Sequence, residues 1–279
     1  MTFGHGMKRV VGITLGVAAL VSAPVFGASD PALQDFKKGN YENAFRAWKA
    51  AADHGNAEAQ YNLGVLYLKG EGAPQDPQEA MRYFRMAADQ GNAQAQFRAG
   101  EIREKGLGAA PSYTEAQHWY QLAADRGDPD AENGLAALYE EGYGVDKDVK
   151  RAVMWYKLAA EQGLPEAQFR LGFLSEQGRG VPKDDAEAAK WYTQSADHGY
   201  APAMARLGSL YADGKGVAAD NHKAYFWLTL ATKQNLKLAE RQRDQVIKKL
   251  NFDDVTKEEI AALNWKAKPV PARNPALIY

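Results

Sequence analysis

The sequence predicts an all-α fold: a right-handed α-solenoid of stacked antiparallel helix pairs, with five full 36-residue repeats, an N-terminal half repeat and C-terminal capping helices. Three observations carry that expectation. Cut at Ala57, the chain falls into five consecutive blocks without insertion: 57–92, 93–128, 129–164, 165–200 and 201–236. Small and large apolar residues recur at fixed places in each block, with the spacing of a helix and not of a strand. Glycines recur where helices must end.

Residues 1–27 read as a secretory signal peptide. Lys8 and Arg9 form a positive start, Val10 to Val21 an uncharged apolar run, and Val25-Phe26-Gly27 a cleavage site before Ala28. Met7 would itself make a normal start. An uncleaved anchor is the competing reading, but the apolar run is interrupted by Gly12 and Gly16 and is short for a span that needs ~20 residues. Cleavage predicts a periplasmic or secreted protein with no stable membrane insertion. Without the leader, 32 basic residues face 35 acidic ones, and a net charge of −3 offers no electrostatic footprint for nucleic acid. Cysteine is absent, which excludes disulfides, thiolate zinc sites, a cysteine nucleophile and a lipoprotein anchor.

Residues 28–56 read as a capping half repeat, because Ala44, Trp48, Ala51, Ala52 and Gly55 match the second half of the later blocks. In each full block of 57–236, the first helix carries a small residue third (Ala59, Ala95, Ala131, Ala167, Ala203). Leucine or alanine comes seventh (Leu63, Ala99, Leu135, Leu171, Leu207), and leucine or isoleucine tenth (Leu66, Ile102, Leu138, Leu174, Leu210). Spacings of i, i+4 and i+7 put these on one helical stripe. The eighth place (Gly64, Gly100, Ala136, Gly172, Gly208) lets a second helix come close. Paired glycines such as Gly70 and Gly72 end the first helix. In the second helix, alanines (Ala80, Ala116, Ala152, Ala188, Ala224) align with aromatics (Tyr83, Trp119, Trp155, Trp191, Trp227). A large ring is therefore expected between small residues, worth ~3–5 kcal/mol against alanine. One pair cannot bury both faces, so neighbours must stack.

Residues 237–268 are expected to cap the open end. Leu236 to Leu250 reads as a charged amphipathic helix with Val246, Ile247 and Leu250 inward, followed by a helix starting at Thr256 through a capping box with Glu259. Pro269, Pro271 and Pro275 mark residues 269–279 as a flexible, extended tail whose Ala276-Leu277-Ile278-Tyr279 end frays.

Stretches such as Ala167-Gln168-Phe169-Arg170-Leu171-Gly172, Gly178-Arg179-Gly180-Val181 and Ala188-Ala189-Lys190-Trp191-Tyr192 resemble the Sel-one-like repeat family, relatives of the tetratricopeptide repeat. The resemblance covers residues 57–236. It departs at Ala99 and Arg103, where leucine and tyrosine are usual, and at Asn235, which ends the fifth block. It implies a protein that works by protein–protein interaction, as an adaptor, a scaffold or a regulator in the bacterial envelope.

The resemblance also implies that first helices line a concave groove, reached from places two, five, nine and twelve, the last three of which carry the candidate residues. Those places hold Tyr61, Phe97, Asn133 and Phe169, then Glu101 and Phe173, then Glu104, Glu140 and Glu176. Tyr61, Phe97, Phe169 and Phe173 are expected as apolar anchors, ringed by Glu101, Glu104, Glu140 and Glu176. The fitting partner is an extended or helical protein segment with apolar side chains and some basic character. Two other readings stay open: free solvent-facing positions, and aromatics at place five that only fill gaps. Arg98, Arg170 and Arg206, all at place six, read as a stripe paired to nearby acids.

Chemistry finds little support. The paired glycines lack the third glycine of G-x-G-x-x-G, and His54 and His198 sit at equivalent helix ends, which reads as capping and not as metal ligation. No cofactor or metal is expected. Some cysteine-rich secreted members of the resembled family are linked to penicillin binding or β-lactam hydrolysis, which needs an activated serine. Ser112, Ser175, Ser195 and Ser209 are followed three residues later by Glu115, Gly178, His198 and Ala212, so no S-x-x-K occurs among them. The sequence reading is non-catalytic, with a β-lactam or cell-wall hydrolase and a glycan-binding module as alternatives.

Overall fold

Side-chain caps recur with the repeat in the computed structural model, which describes residues 30–271. Asp76, Ser112, Asp148, Asp184 and Asp220 each accept a hydrogen bond from the first turn of a second helix. Asn56, Asn92 and Asp128 do the same for three of the first helices. Each such cap is worth ~1 kcal/mol. The five repeats are the pairs α3 (Ala57–Lys69) and α4 (Pro77–Asp89), α5 (Ala93–Lys105) and α6 (Tyr113–Ala124), α7 (Pro129–Glu141) and α8 (Val149–Glu161), α9 (Pro165–Gln177) and α10 (Asp185–Asp197), and α11 (Ala201–Asp213) and α12 (Asn221–Lys233). Each helix packs on the one before it and the one after it. No strand occurs among the described residues, and the architecture is the α-solenoid that the 36-residue period requires. The expected signal peptide and the Ala276–Tyr279 end lie outside the described residues.

The paired glycines do two jobs. Gly70, Gly106, Gly142, Gly178 and Gly214 end the first helices in the left-handed conformation. The second glycine of each pair presses on the preceding unit: a Cβ on Gly216 would lie 2.0 Å from the Asp185 carbonyl oxygen, and one on Gly72 would lie 2.4 Å from that of Tyr41. That contact ties each loop to the start of the previous second helix, a role the sequence reading assigned only to helix ending.

In the first repeat the expected ring, Tyr83, is buried beside Phe84, but in the other four the buried side chain is not the one expected. Trp119, Trp155, Trp191 and Trp227 are half-buried and pack against the edges of the core clusters. The fully buried side chains are their neighbours at place twenty-eight: Phe84, Tyr120, Tyr156, Tyr192 and Leu228. Each lies i+4 from the invariant-place alanine (Ala152 to Tyr156 in the third repeat), so both share one stripe. Place eight faces this ring. A Cβ on Gly100 would fall 2.6 Å from the Tyr120 ring, and one on Gly64 would fall 2.8 Å from that of Phe84.

At the N-terminal end, α2 (Tyr41–Asp53) buries Ala44, Trp48 and Ala52, and a short α1 (Pro31–Lys37) precedes it. Asp30 caps α1 with one carboxylate oxygen and accepts the Trp48 indole N–H with the other, at 3.1 Å. At the other end, α13 (Lys237–Val246) packs on α12, with Val246 buried and Ile247 and Leu250 against the same cluster. The next helix, α14 (Phe252–Asn264), starts four residues before Thr256. Asn251 caps it by accepting from the Asp254 N–H at 2.8 Å, while the Thr256 hydroxyl donates to the Phe252 carbonyl and Glu259 accepts from Tyr225. The outer face of α14 leaves Phe252, Ile260 and Leu263 exposed. Beyond it, Val270 and Pro271 of the tail lie against the array.

Candidate protein-binding surface

Places five, nine and twelve of each first helix follow i, i+4, i+7 and so share a stripe. The ring at place twenty-eight reaches this stripe from the second helix. In the three middle repeats the ring is a tyrosine and place twelve is a glutamate. Tyr120 donates to Glu104 at 2.5 Å, Tyr156 to Glu140 at 3.0 Å and Tyr192 to Glu176 at 2.7 Å. In the first repeat the two places hold Phe84 and Leu68, and in the fifth Leu228 and Ala212. Hydroxyl and carboxylate are present together or replaced together, as expected when neither can be buried without the other. Burial raises the pKa of all three tyrosines and the carboxylates raise it further, so each hydroxyl stays a donor.

The next repeat completes two of these rungs. Arg170 reaches Glu140 at 3.3 Å, joined by Arg179 at 3.4 Å, and Arg206 reaches Glu176 at 3.8 Å. Place six of the third repeat is Gly134, whose Cβ would stand 3.0 Å from the Tyr120 ring, so a close packing contact takes the place of an arginine beside Glu104. The arginine stripe is thus paired to acids, as its spacing suggested. Arg98 pairs with Glu101 at 2.7 Å, which Lys105 also holds at 2.5 Å. Burial pushes the Glu101 carboxyl up, but the bonds from Lys105 and Arg98 outweigh it and hold it below the usual range.

The expected site residues separate on this geometry. Tyr61 is wholly buried, with its ring 5.6 Å from that of Phe84, and belongs to the core and not to a groove. Glu140 is 1% exposed and engaged by Tyr156, Arg170 and Arg179, so it cannot ring a ligand. Phe97 is half-buried, stacked on Tyr120 with the Arg98 guanidinium 5.6 Å from its ring centroid. Asn133 is half-buried, as are Glu101, Glu104 and Glu176, and the three glutamates are each engaged by the partners named above. Phe169 packs between Tyr192 and Tyr200 at centroid distances of 5.6 and 5.4 Å. Phe173 is half-buried, and two guanidinium groups stand over its ring, Arg170 at 6.0 Å and Arg206 at 5.8 Å. The structure thus gathers Phe169, Phe173, Arg170, Arg206 and Glu176 where the fourth and fifth repeats meet. Sequence reasoning missed Tyr120, Tyr156 and Tyr192, which the paired substitution of places twelve and twenty-eight would have revealed.

A second polar feature lies at place four. Gln60, Gln96 and Gln168 are buried there and donate to the carbonyls of Ala52, Ala88 and Ala160, each eight residues earlier. The third repeat has Glu132 instead, 4% exposed, accepting from Gln162 at 2.8 Å. Burial pushes its carboxyl up to about 7, the Gln162 bond opposes this, and the charge of Asp128 adds to the rise.

The Sel1 repeat family model matches residues 57–92, 93–128, 129–164, 165–200 and 201–236. Among solved structures, the chain is 34% identical to a Sel1 repeat protein from Oxalobacter formigenes, over 72% of this chain and 83% of that one, with a TM-score of 0.66. It is 30% identical to a protective antigen of uropathogenic Escherichia coli with an SLR fold, over 82% of this chain and 58% of that one, with a TM-score of 0.53. An immunity protein from Pseudomonas aeruginosa shares the fold at 20% identity and a TM-score of 0.51, over 82% of this chain and 88% of that one. Comparison with curated proteins finds no match.

Proposed function

This chain belongs to the Sel1 repeat family, and we propose that it is an exported, non-catalytic adaptor or regulator of the bacterial envelope that holds a protein partner on its first-helix face. Proteins of this family are typically protein-interaction adaptors and generally non-enzymatic. The observation that carries the reading is Phe173: a half-buried ring beneath arginines of two successive repeats, on a face whose charges are paired with one another. The partner therefore brings an apolar side chain to Phe173, because Arg170 and Arg206 beside it are already paired with Glu140 and Glu176. It does not bring the basic character expected from the glutamates, because Glu140 is buried and Glu176 already holds Tyr192 and Arg206. Export rests on the leader read from residues 1–27.

The test is capture with cross-linking from the periplasm of the native host, repeated with Phe169→Ala and Phe173→Ala. Aromatic anchors contribute at least ~2 kcal/mol each, so each variant is expected to lose about 30-fold in affinity for the captured protein. Melting temperature should stay within a few degrees. A large fall in melting with binding retained would assign both rings to the core and end this reading.

A further inference from the structure

Two helices of this chain keep an apolar stripe in solvent. On α14, Phe252, Ile260 and Leu263 are 83%, 53% and 72% exposed. Their spacing of i, i+8 and i+11 puts them on one face, away from Val255 and Ala262, which pack into the cap. On α8, Met154 and Leu158 are 67% and 45% exposed and stand one turn apart.

The fifth repeat shows what such a pair packs on. Met154 and Leu158 hold places twenty-six and thirty of a second helix. In the fifth repeat those places are Phe226 and Leu230, which share an apolar cluster with Val246, Val255 and Ala262 of the cap helices α13 and α14. The first, second and fourth repeats have Arg82, His118 and Lys190 at place twenty-six, all polar and exposed. The third repeat thus carries the apolar pair that a cap helix covers in the fifth, and leaves it in solvent.

Charge decides which helix fits. Beside Met154 and Leu158, the exposed charges of α8 are Lys150, Arg151, Lys157 and Glu161, three bases to one acid. Beside the α14 stripe they are Asp253, Lys257 and Glu259, two acids to one base. Setting α8 on α8, or α14 on α14, would oppose like charges, whereas α14 on α8 brings acids to bases. Within one molecule the two faces are held apart, because α14 packs on α12 and α9, α10 and α11 stand between α8 and α12 in the stack. We infer that the protein self-associates, the outer face of α14 in one copy docking on Met154 and Leu158 of α8 in a second. The contact joins unlike surfaces, and each copy offers one of each. It uses second-helix and cap surface, and so leaves the first-helix face at Phe173 to a different partner.

The test is sedimentation equilibrium of the purified protein and two variants. The parent is expected to show a mass above the monomer that rises with concentration. Met154→Glu with Leu158→Glu, and separately Ile260→Glu with Leu263→Glu, should each raise the dissociation constant at least about tenfold, the factor that burying one leucine supplies. Mixing the two variants should restore association, because one retains its α14 face and the other its α8 face. A parent that stays monomeric at every concentration would overturn the proposal. So would a variant that associates as the parent does, which would give the contact to a like pair of faces. A mixture no heavier than its components would overturn it as well. All four substituted residues are exposed, and a melting curve of each variant checks its fold. Phe252→Glu, at a residue 83% exposed, takes the place of the α14 variant if that helix loosens.

Discussion

Replacing Tyr156 with phenylalanine is expected to destabilise the protein by ~1–3 kcal/mol, because it strips a hydrogen bond from the buried Glu140. Glu140→Leu alone should cost more, ~3–5 kcal/mol, since the Tyr156 hydroxyl loses its acceptor and two arginines lose their counter-charge. The double variant should recover to within ~1 kcal/mol of the parent. Removing both partners leaves no orphaned polar group, and the first repeat already packs in this way with Phe84 and Leu68. Arg170 and Arg179 remain 38% and 41% exposed and can turn to water. Urea unfolding of the four proteins gives the coupling energy, expected at ~2 kcal/mol or more. Additive losses would mean that the tyrosine and the glutamate are buried independently, and the rung would lose its meaning.

Glu132→Gln should stabilise the protein at pH 8 by as much as ~3 kcal/mol and do nearly nothing at pH 4. The sign follows from a folded-state value of about 7 against the usual 4.5. Below pH 4.5 the carboxyl is protonated in both states, and its stabilising contribution is complete. Between 4.5 and 7 the unfolded chain ionises while the folded one does not, so stability falls as pH rises. Above 7 the loss is complete. Glutamine cannot ionise, and at this place in three other repeats it donates to the carbonyl eight residues earlier, which here is Ala124. Melting temperatures of parent and variant between pH 4 and pH 8 check this: the two curves should converge at low pH and separate above 6. Parallel curves would show that burial does not raise the Glu132 carboxyl above its unfolded value.

The repeat is legible because packing allows few residues at its tightest points. Place eight tolerates glycine or alanine because a ring stands 2.6–3.0 Å from an added Cβ, and that constraint prints the period into the sequence. Which ring stands there was harder to read. Trp155 and Tyr156 are adjacent, both fall within reach of a helical stripe, and the larger ring drew the choice although the i+4 residue is the one that faces inward. Glu140 was misread because an ionised side chain is almost never buried unless paired, and its three partners come from other helices and a loop. Thr256 matched a capping box, but Asn251 offers a stronger cap one turn earlier and the helix starts there. Pro269 and Pro271 announced extended chain without showing that Pro271 would lie against Gly163.

The first-helix face of a continuous array is the surface expected to meet a partner. Hydrogen exchange of the protein with and without its captured partner tests this most directly. Protection is predicted along α9 and α11, centred on Phe169, Phe173 and Arg206, with the neighbouring α10 and α12 unchanged. Protection confined to the exposed face of α14 at Phe252, Ile260 and Leu263, or to Met154 and Leu158 on the outer face of α8, would contradict it.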